Sequence, residues 1–317
     1  MTPAADCLIA DVGATHARFC RAVAGRPAGE PVLLATGDYR DAADLVAAAL
    51  RSLTAAPIRA ACFAVAGPLV NGRVEVTNGG LAFDTAELER TLGCRVKLVN
   101  DFFALATAIP LLEHFDIIGG DPEAVGRRGV KAVLGPGSGL GMSALLPEDD
   151  GGWRVLASEG GHADLAPGNH LEQELLSLLM TEHGTVCWET VLSGPGLVRL
   201  HQAVCQLWGL PVDPLTAEEI SRRGVDAEDP VCHQTLEMFF GLLGAAAGNL
   251  ALTVCADAGV YIGGGIVPAL AGFARTSPLR RRFEERAELD HLMKDIPLLL
   301  ILDEHPGLLG AAACLNG

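Results

Sequence analysis

The sequence predicts an α/β fold in two lobes, and three observations predict it. Short apolar runs that end in glycine turns alternate with stretches of helical spacing. A strand, a glycine turn and a second strand open each half of the chain. The chain has 317 residues, long for a single core.

The first such unit is the run at residues 7–12, which ends in Asp11-Val12-Gly13 and returns as Ala17 to Ala24 after a tight turn. Asp41 to Leu53 has helical spacing, with Asp41 as its N-cap. Ile58 to Ala66 reads as a strand stopped by Gly67-Pro68. Val96 to Val99 reads as another, followed by Asn100-Asp101 and a helix to about Ile109, which Pro110 closes. In the second half, Val130 to Leu134 enters the glycine-rich turn Gly135 to Gly141, and Met142 to Leu146 leaves it. Helical patterns fill His170 to Ala256. Val260 to Ile262 then enters Gly263-Gly264-Gly265, with a helix starting near Pro268.

Composition narrows the partners. Lys+Arg is 23 against Asp+Glu 39, a net charge of −16, so neither nucleic acid nor an anionic membrane is an expected partner. The N-terminus lacks a basic n-region and does not read as a signal peptide. Met238 to Ala256 has no formal charge and approaches spanning length, but contains Gly241, Gly244 and Gly248 and has no flanking basic cluster. It is expected to be a buried core helix whose glycines let a neighbour pack closely, in a cytoplasmic protein. The nine cysteines include no Cys-x-x-Cys pair and are expected as reduced thiols, none with a suggestive local partner.

The commoner phosphate-binding schemes are missing. The three lysines (Lys97, Lys131 and Lys294) never follow a glycine, so there is no P-loop. Neither Gly-x-Gly-x-x-Gly nor His-Arg-Asp occurs. What remains is two strand–glycine turn–strand hairpins and one strand–glycine–helix turn. Such turns present backbone N–H groups on one concave side, a nest that binds phosphate oxygens without lysine. This reading assigns nucleotide contacts to Val12, Gly13, Ala14, Thr15, Gly137, Ser138, Gly264 and Gly265. Asp11, at the mouth of the first turn, is placed to hold Mg²⁺ through its water shell.

Eight blocks in register resemble the bacterial glucokinase family of the hexokinase and actin ATPase-fold superfamily. They are Asp11 to Arg18, Ala64 to Pro68 with Thr77-Asn78, Asn100-Asp101-Phe102, Gly135 to Gly141, Glu159-Gly160-Gly161-His162, Glu189 to Gly196, Gly263 to Pro268 and Pro306 to Gly310. The resemblance implies a two-lobed ribonuclease H-like (actin-like ATPase) fold with an interlobe cleft. Its small lobe would be 1–110 plus 303–317, and its large lobe 111–302. It further implies ATP-dependent phosphorylation of glucose, with Mg²⁺, by a homodimer. Asn78, Asn100, Asp101, Glu159, His162 and Glu189 would line the sugar site, with Ser138 and Gly139 at its junction with the phosphates and Asp101 as general base.

Chemistry asks for such residues independently. A ring of hydroxyls both donates and accepts, and carboxylates, an amide and an imidazole answer it with charge-assisted hydrogen bonds. Phosphoryl transfer is mostly positioning and charge neutralisation, with a carboxylate taking the attacking hydroxyl's proton. Each residue also has a structural reading. Asp101 can cap the helix after it, His162 can be a hydrogen-bonded core histidine, and Glu189 can favour a helix dipole. A non-catalytic sugar sensor would be expected to lack Asp11 or Asp101, and both are present. Relatives that carry a Cys-x-Cys-Gly-x-x-Gly-Cys zinc run differ too, because the next cysteine after His162 is Cys187, standing alone. No structural zinc is expected.

Two positions depart from the family pattern: Ala14 replaces a glycine and His16 an asparagine. If position 14 demanded a left-handed backbone, alanine would cost about 1 kcal/mol there. Phosphate binding uses the N–H groups, which alanine retains. Ala14→Gly is therefore expected to change the ATP KM by less than about tenfold. A hundredfold improvement in steady-state kinetics would instead reveal a strained loop.

Overall fold

The computed structural model describes residues 7–53, 57–76 and 80–315. The chain divides into two compact units. One comprises Met1–His114, Val155–Ala157 and Asp303–Gly317, the other Phe115–Arg154 and Ser158–Leu302.

In the first unit the strands are β1 (Cys7–Val12), β2 (His16–Val23), β3 (Arg26–Ala35), β4 (Ala60–Val65) and, after a small hairpin sheet of β5 (Leu69–Val70), β6 (Arg73–Glu75) and β7 (Ala82–Asp84), β8 (Arg95–Asn100). The helices are α1 (Ala42–Ser52), α2 (Thr85–Leu92), α3 (Asp101–Ala108) and the C-terminal helix Pro306–Ala313. The main sheet has the order β3-β2-β1-β4-β8, with β1, β4 and β8 parallel. β1 and β4 are nearly continuous apolar runs because both faces are covered, whereas the edge strand β8 alternates, with Arg95 and Lys97 exposed. Leu8, Ala10 and Val12 pack with Phe19, Phe63 and the α1 residues Leu45, Val46 and Ala49. Ile9, Cys62 and Ala64 pack on the other face with Leu308, Ala311 and Ala312. Strand parity therefore turns Asp11 toward the C-terminal helix.

The second sheet has the strands β9 (Phe115–Gly119), β10 (Lys131–Pro136), β11 (Leu140–Pro147), β12 (Trp153–Ser158), β13 (Val260–Ile262) and β14 (Leu298–Ile301), in the order β12-β11-β10-β13-β14-β9, and all of it belongs to the second unit except Val155–Ala157 of β12. The helices are α4 (His170–His183), α5 (Trp188–Val191), α6 (Gly194–Leu207), α7 (Ala217–Val225), α8 (Pro230–Val254), α9 (Ala271–Thr276), α10 (Leu279–Glu284) and α11 (Asp290–Asp295). The apolar α8 is the core helix of this unit, with Phe239, Phe240, Leu242 and Leu243 fully buried. Its glycines act as expected. A Cβ on Gly244 would meet Leu279 and Phe283 of α10, and one on Gly248 would meet Phe283 and the Arg286 guanidinium.

The expected strands and helices are present with ends shifted by a few residues, and the helix expected near Pro268 begins as a 3-10 turn before α9. Seven strands fell outside the sequence expectations: β3, β9, β12 and β14 of the two larger sheets and β5, β6 and β7 of the small one. β3 contains Pro27, Gly29 and Pro31, which an edge strand tolerates because one row of its backbone groups needs no partner. β9 and β14 are short, and nothing local separates their apolar residues from those of a buried helix.

The contact of α10 with α8 sets a prediction. Gly244→Ala should destabilise the protein by about 1–3 kcal/mol, because the backbone of α10 must move to admit the methyl group. Gly272→Ala on α9, where a Cβ meets nothing within 4 Å, should be neutral or stabilising by up to about 1 kcal/mol. Urea denaturation of both variants checks the contrast.

Candidate active site

The carboxyl ends of parallel strands, where α/β sheets bind ligands, carry the polar residues in each unit. In the first unit, Asp11 lies opposite Arg18 on β2 and beside Ala64 on β4, and Val65 of β4 lies beside Asn100 on β8. The first glycine turn and the Asn100-Asp101 pair thus share one edge of one sheet.

The turn is held by its own backbone. Gly13 N–H donates to His16 O at 2.9 Å, and Ala66 N–H donates to Val12 O at 2.8 Å. The Thr36 hydroxyl donates to Ala14 O at 2.5 Å. Ala14 is not among the residues with positive φ, and its methyl group packs against the core, so the departure from glycine carries no backbone strain here. His16 is exposed, with Nδ1 3.1 Å from Oγ1 of Thr15.

Burial pushes the Asp11 carboxyl above its ordinary pKa, while Arg18 and His305 pull it back down. The carboxylate sits against Gly307, where a Cβ would come within 2.6 Å of Oδ2. This is the physical reason for glycine after Pro306, and neither His305 nor Gly307 was identified as a site residue in the sequence. Among the described residues no group of three or more His, Cys, Asp or Glu could hold a metal ion.

At the end of β8 the two candidate residues separate in role. Asn100 is the N-cap of α3: its Oδ1 accepts from Phe102 N–H at 2.9 Å and Phe103 N–H at 3.1 Å. Its Nδ2 donates to Gly67 O at 3.1 Å, which ties the ends of β8 and β4 together. Gly67 needs to be glycine, with φ +143 and a Cβ direction blocked by Glu75 O. Asp101 is the first residue of the helix, half-buried, and its Oδ1 accepts from Phe102 N–H at 3.0 Å. The capping role open to Asp101 in the sequence belongs to Asn100. Asn78 lies outside the described residues.

In the second unit β10 and β13 are parallel neighbours, so the turns at Gly135–Gly141 and Gly263–Gly265 lie side by side. Gly263 N–H donates to Leu134 O at 2.9 Å. A Cβ on Gly135 would fall within 2.6 Å of the Gly263 carbonyl carbon, and Gly264 has φ +83 with Pro136 O in the way. Gly137 and Gly265, by contrast, face open space: a Cβ there would meet nothing within 4 Å. This pair of turns therefore packs tightly on one side and leaves room on the other, as a phosphate cradle requires.

Glu189 and the Glu159–His162 segment both reach this turn. Glu189 Oε2 accepts the Leu140 N–H at 2.8 Å and occupies the space a side chain at Gly139 would need. Gly194 N–H donates to Gly137 O at 2.8 Å. Gly161 is pressed so closely on Leu140 O that no Cβ fits. Glu159 and His162 are exposed on either side of that contact, so His162 is not a core histidine. Ser138 is half-buried in the Gly135–Gly141 turn. Trp188 and Val191 anchor α5, and with it Glu189, in the core. Cys187, with no partner visible in the sequence, has its Sγ 4.0 Å from Nδ1 of His162.

Known proteins match this arrangement over almost its whole length. The sequence model of the Glucokinase family covers residues 8–317. A glucokinase of Aromatoleum aromaticum is 43% identical, with 98% of this chain and 94% of the relative aligned. One of Chromobacterium violaceum is 41% identical, with 97% of this chain and 88% of the relative aligned. The crystal structure of a glucokinase from an Antarctic psychrotroph superposes with a TM-score of 0.82 at 33% identity, covering 98% of both chains. The α/β, actin-like ATPase fold expected from the sequence is the fold of this protein. With a family match that runs from the first strand to the last residue, the chain belongs to the glucokinase family.

Proposed function

We propose that the chain transfers the γ-phosphoryl group of ATP to the 6-hydroxyl of glucose, the first step of glycolysis, as a cytoplasmic homodimer. The observation that carries the reading is the separation of roles at the end of β8. Asn100 is the N-cap of α3 and accepts from both the Phe102 and Phe103 N–H groups, while the Asp101 carboxylate only shares the Phe102 N–H through Oδ1. A carboxylate there suits the general base that takes the proton of the attacking hydroxyl.

The sugar would be held by groups that donate and accept around its ring. Asn100 spends one amide hydrogen on Gly67, and the other is assigned to a sugar hydroxyl. Glu189 spends one oxygen on Leu140 N–H, leaving the second for the sugar. Glu159 and His162 supply an acceptor and an imidazole, and Asn78 completes the set. Ser138 and Gly139 sit where the transferred phosphoryl meets the sugar in this reading.

The nucleotide phosphates would lie on N–H groups of Ala14 and Thr15 and of Gly264 and Gly265, beside the open space at Gly137 and Gly265, while the Gly13 and Gly137 N–H groups are spent on His16 O and Gly139 O and shape the turns. Asp11 would hold Mg²⁺ through its water shell, since a single carboxylate suits an ion that keeps several waters and binds the substrate phosphates. When bound, Mg²⁺ neutralises charge on the phosphate oxygens.

Coupled measurement of ADP release across a panel of hexoses tests the activity, and absence of glucose-dependent release would reject it. Sedimentation equilibrium tests the dimer. Asp101→Asn should lower turnover by about 10²–10⁴-fold, the usual worth of a positioned base, with little change in melting temperature. Asn100→Ala should cost about 1 kcal/mol of stability through the lost cap. Near-normal turnover in Asp101→Asn would sink the general-base role. Alanine at Glu159 or His162 should weaken glucose by about 1–3 kcal/mol and leave the ATP KM unchanged. Wild-type glucose affinity in both would return these residues to structure.

A further inference from the structure

Cys187 makes a contact that no part of the reaction as described uses. Its Sγ lies 4.0 Å from Nδ1 of His162 and 3.4 Å from Oγ1 of Thr190. Backbone pairing fixes this approach, because residues 163–165 run antiparallel to 186–188. Trp188 N–H donates to Ala163 O at 3.0 Å and Leu165 N–H to Val186 O at 3.0 Å, around a bridge between Asp164 and Cys187. The thiol is half-buried and His162 is exposed, so the sulfur supports the ring from beneath a solvent-facing position.

The direction of the bonds can be reasoned from proton supply. Thr190 Oγ1 already accepts the Cys187 N–H at 3.1 Å. Its one hydroxyl proton is then best spent on the sulfur beside it, and the sulfur's own proton is left for Nδ1 of His162. An imidazole whose Nδ1 accepts carries its proton on Nε2.

We propose that Cys187 is a positioning residue for sugar binding: a Thr190–Cys187–His162 relay holds the imidazole in the Nε2–H tautomer, so that the ring offers a donor to a hexose hydroxyl. The proposal rests on the reading of His162 as a sugar ligand. A donor fixed in advance spares the bound state the cost of selecting one tautomer and one ring orientation.

The test combines kinetics with ¹⁵N NMR of the His162 ring in the full-length protein. The wild type should show the Nε2–H tautomer, and Cys187→Ala should show a mixture of both. Cys187→Ala should raise the glucose KM about three- to tenfold, with kcat and the ATP KM within about twofold. Cys187→Ser keeps a donor and should restore the tautomer and most of the glucose affinity. Thr190→Val, which removes the head of the relay, should move the tautomer in the same direction as Cys187→Ala. An unchanged tautomer and glucose KM in Cys187→Ala would overturn the proposal. So would a serine variant no better than alanine, which would mean that only packing matters. If His162→Ala leaves the glucose KM unaltered, the sugar-ligand reading fails by itself, and the ring spectrum still decides whether Cys187 sets the tautomer.

Discussion

A strand buried on both faces can carry polar side chains only where it leaves the core, and the placement of chemistry in this protein follows from that constraint. In β1 the residues Leu8, Ile9 and Ala10 are fully buried, and the first carboxylate that appears is Asp11. β8 ends in Asn100 and is followed by Asp101. β10 opens on Lys131, whose buried ammonium is hydrogen-bonded to Val125 O and Ala258 O, and is then apolar up to Gly135, while β13 runs Val260-Tyr261-Ile262 into Gly263. Burying a polar group without a partner costs several kcal/mol, about 2–7 depending on the reference state, so the sheets push their reactive groups to one edge. Parallel register then aligns those edges within each unit.

Glycine settles how tightly the edge is built. Gly135 against Gly263, Gly161 against Leu140 O and Gly139 against the Glu189 carboxylate are approaches that any side chain would break. They make the second-unit turn and the residues read as sugar ligands one rigid body. The Leu140 N–H, Gly137 O and Gly194 N–H bonds complete it. Elements joined this way keep their separation through backbone contacts and the Glu189 side chain. The same logic holds in the first unit, where Gly307 leaves room for the Asp11 carboxylate and Gly310 lets the C-terminal helix rest on the backbone of α3 at Ala104.

The polar groups around the candidate site are shared between architecture and chemistry. Asn100 is both a cap and a clasp on Gly67, and Glu189 uses one oxygen to hold a turn. Asp11 has an elevated carboxyl pKa because burial outweighs Arg18 and His305. A nearby cation would favour its ionised form, which ties occupancy of that position to the charge state of the residue.

Much of the fold was legible in the sequence because it is written in local signals: apolar runs, glycine turns and the Asp41 cap lie within a few residues of what they control. The edge strand β3 was not, since Pro27 and Pro31 argue against a strand unless it is known to be at an edge. The cap of the helix after β8 was read one residue late, at Asp101, because both side chains cap helices well and only the backbone path after β8 gives the role to Asn100. The residues of the candidate site were legible through their glycine-rich blocks, which name the positions without their partners. Contacts such as Cys187 with His162, Asp11 with Gly307, and Lys97 with the Cys314 carbonyl at 2.8 Å join residues far apart in the chain. The sequence alone determined which residue types stand at the strand ends. The tertiary structure decided which groups each of them touches, since strand register and helix packing are properties of the whole core.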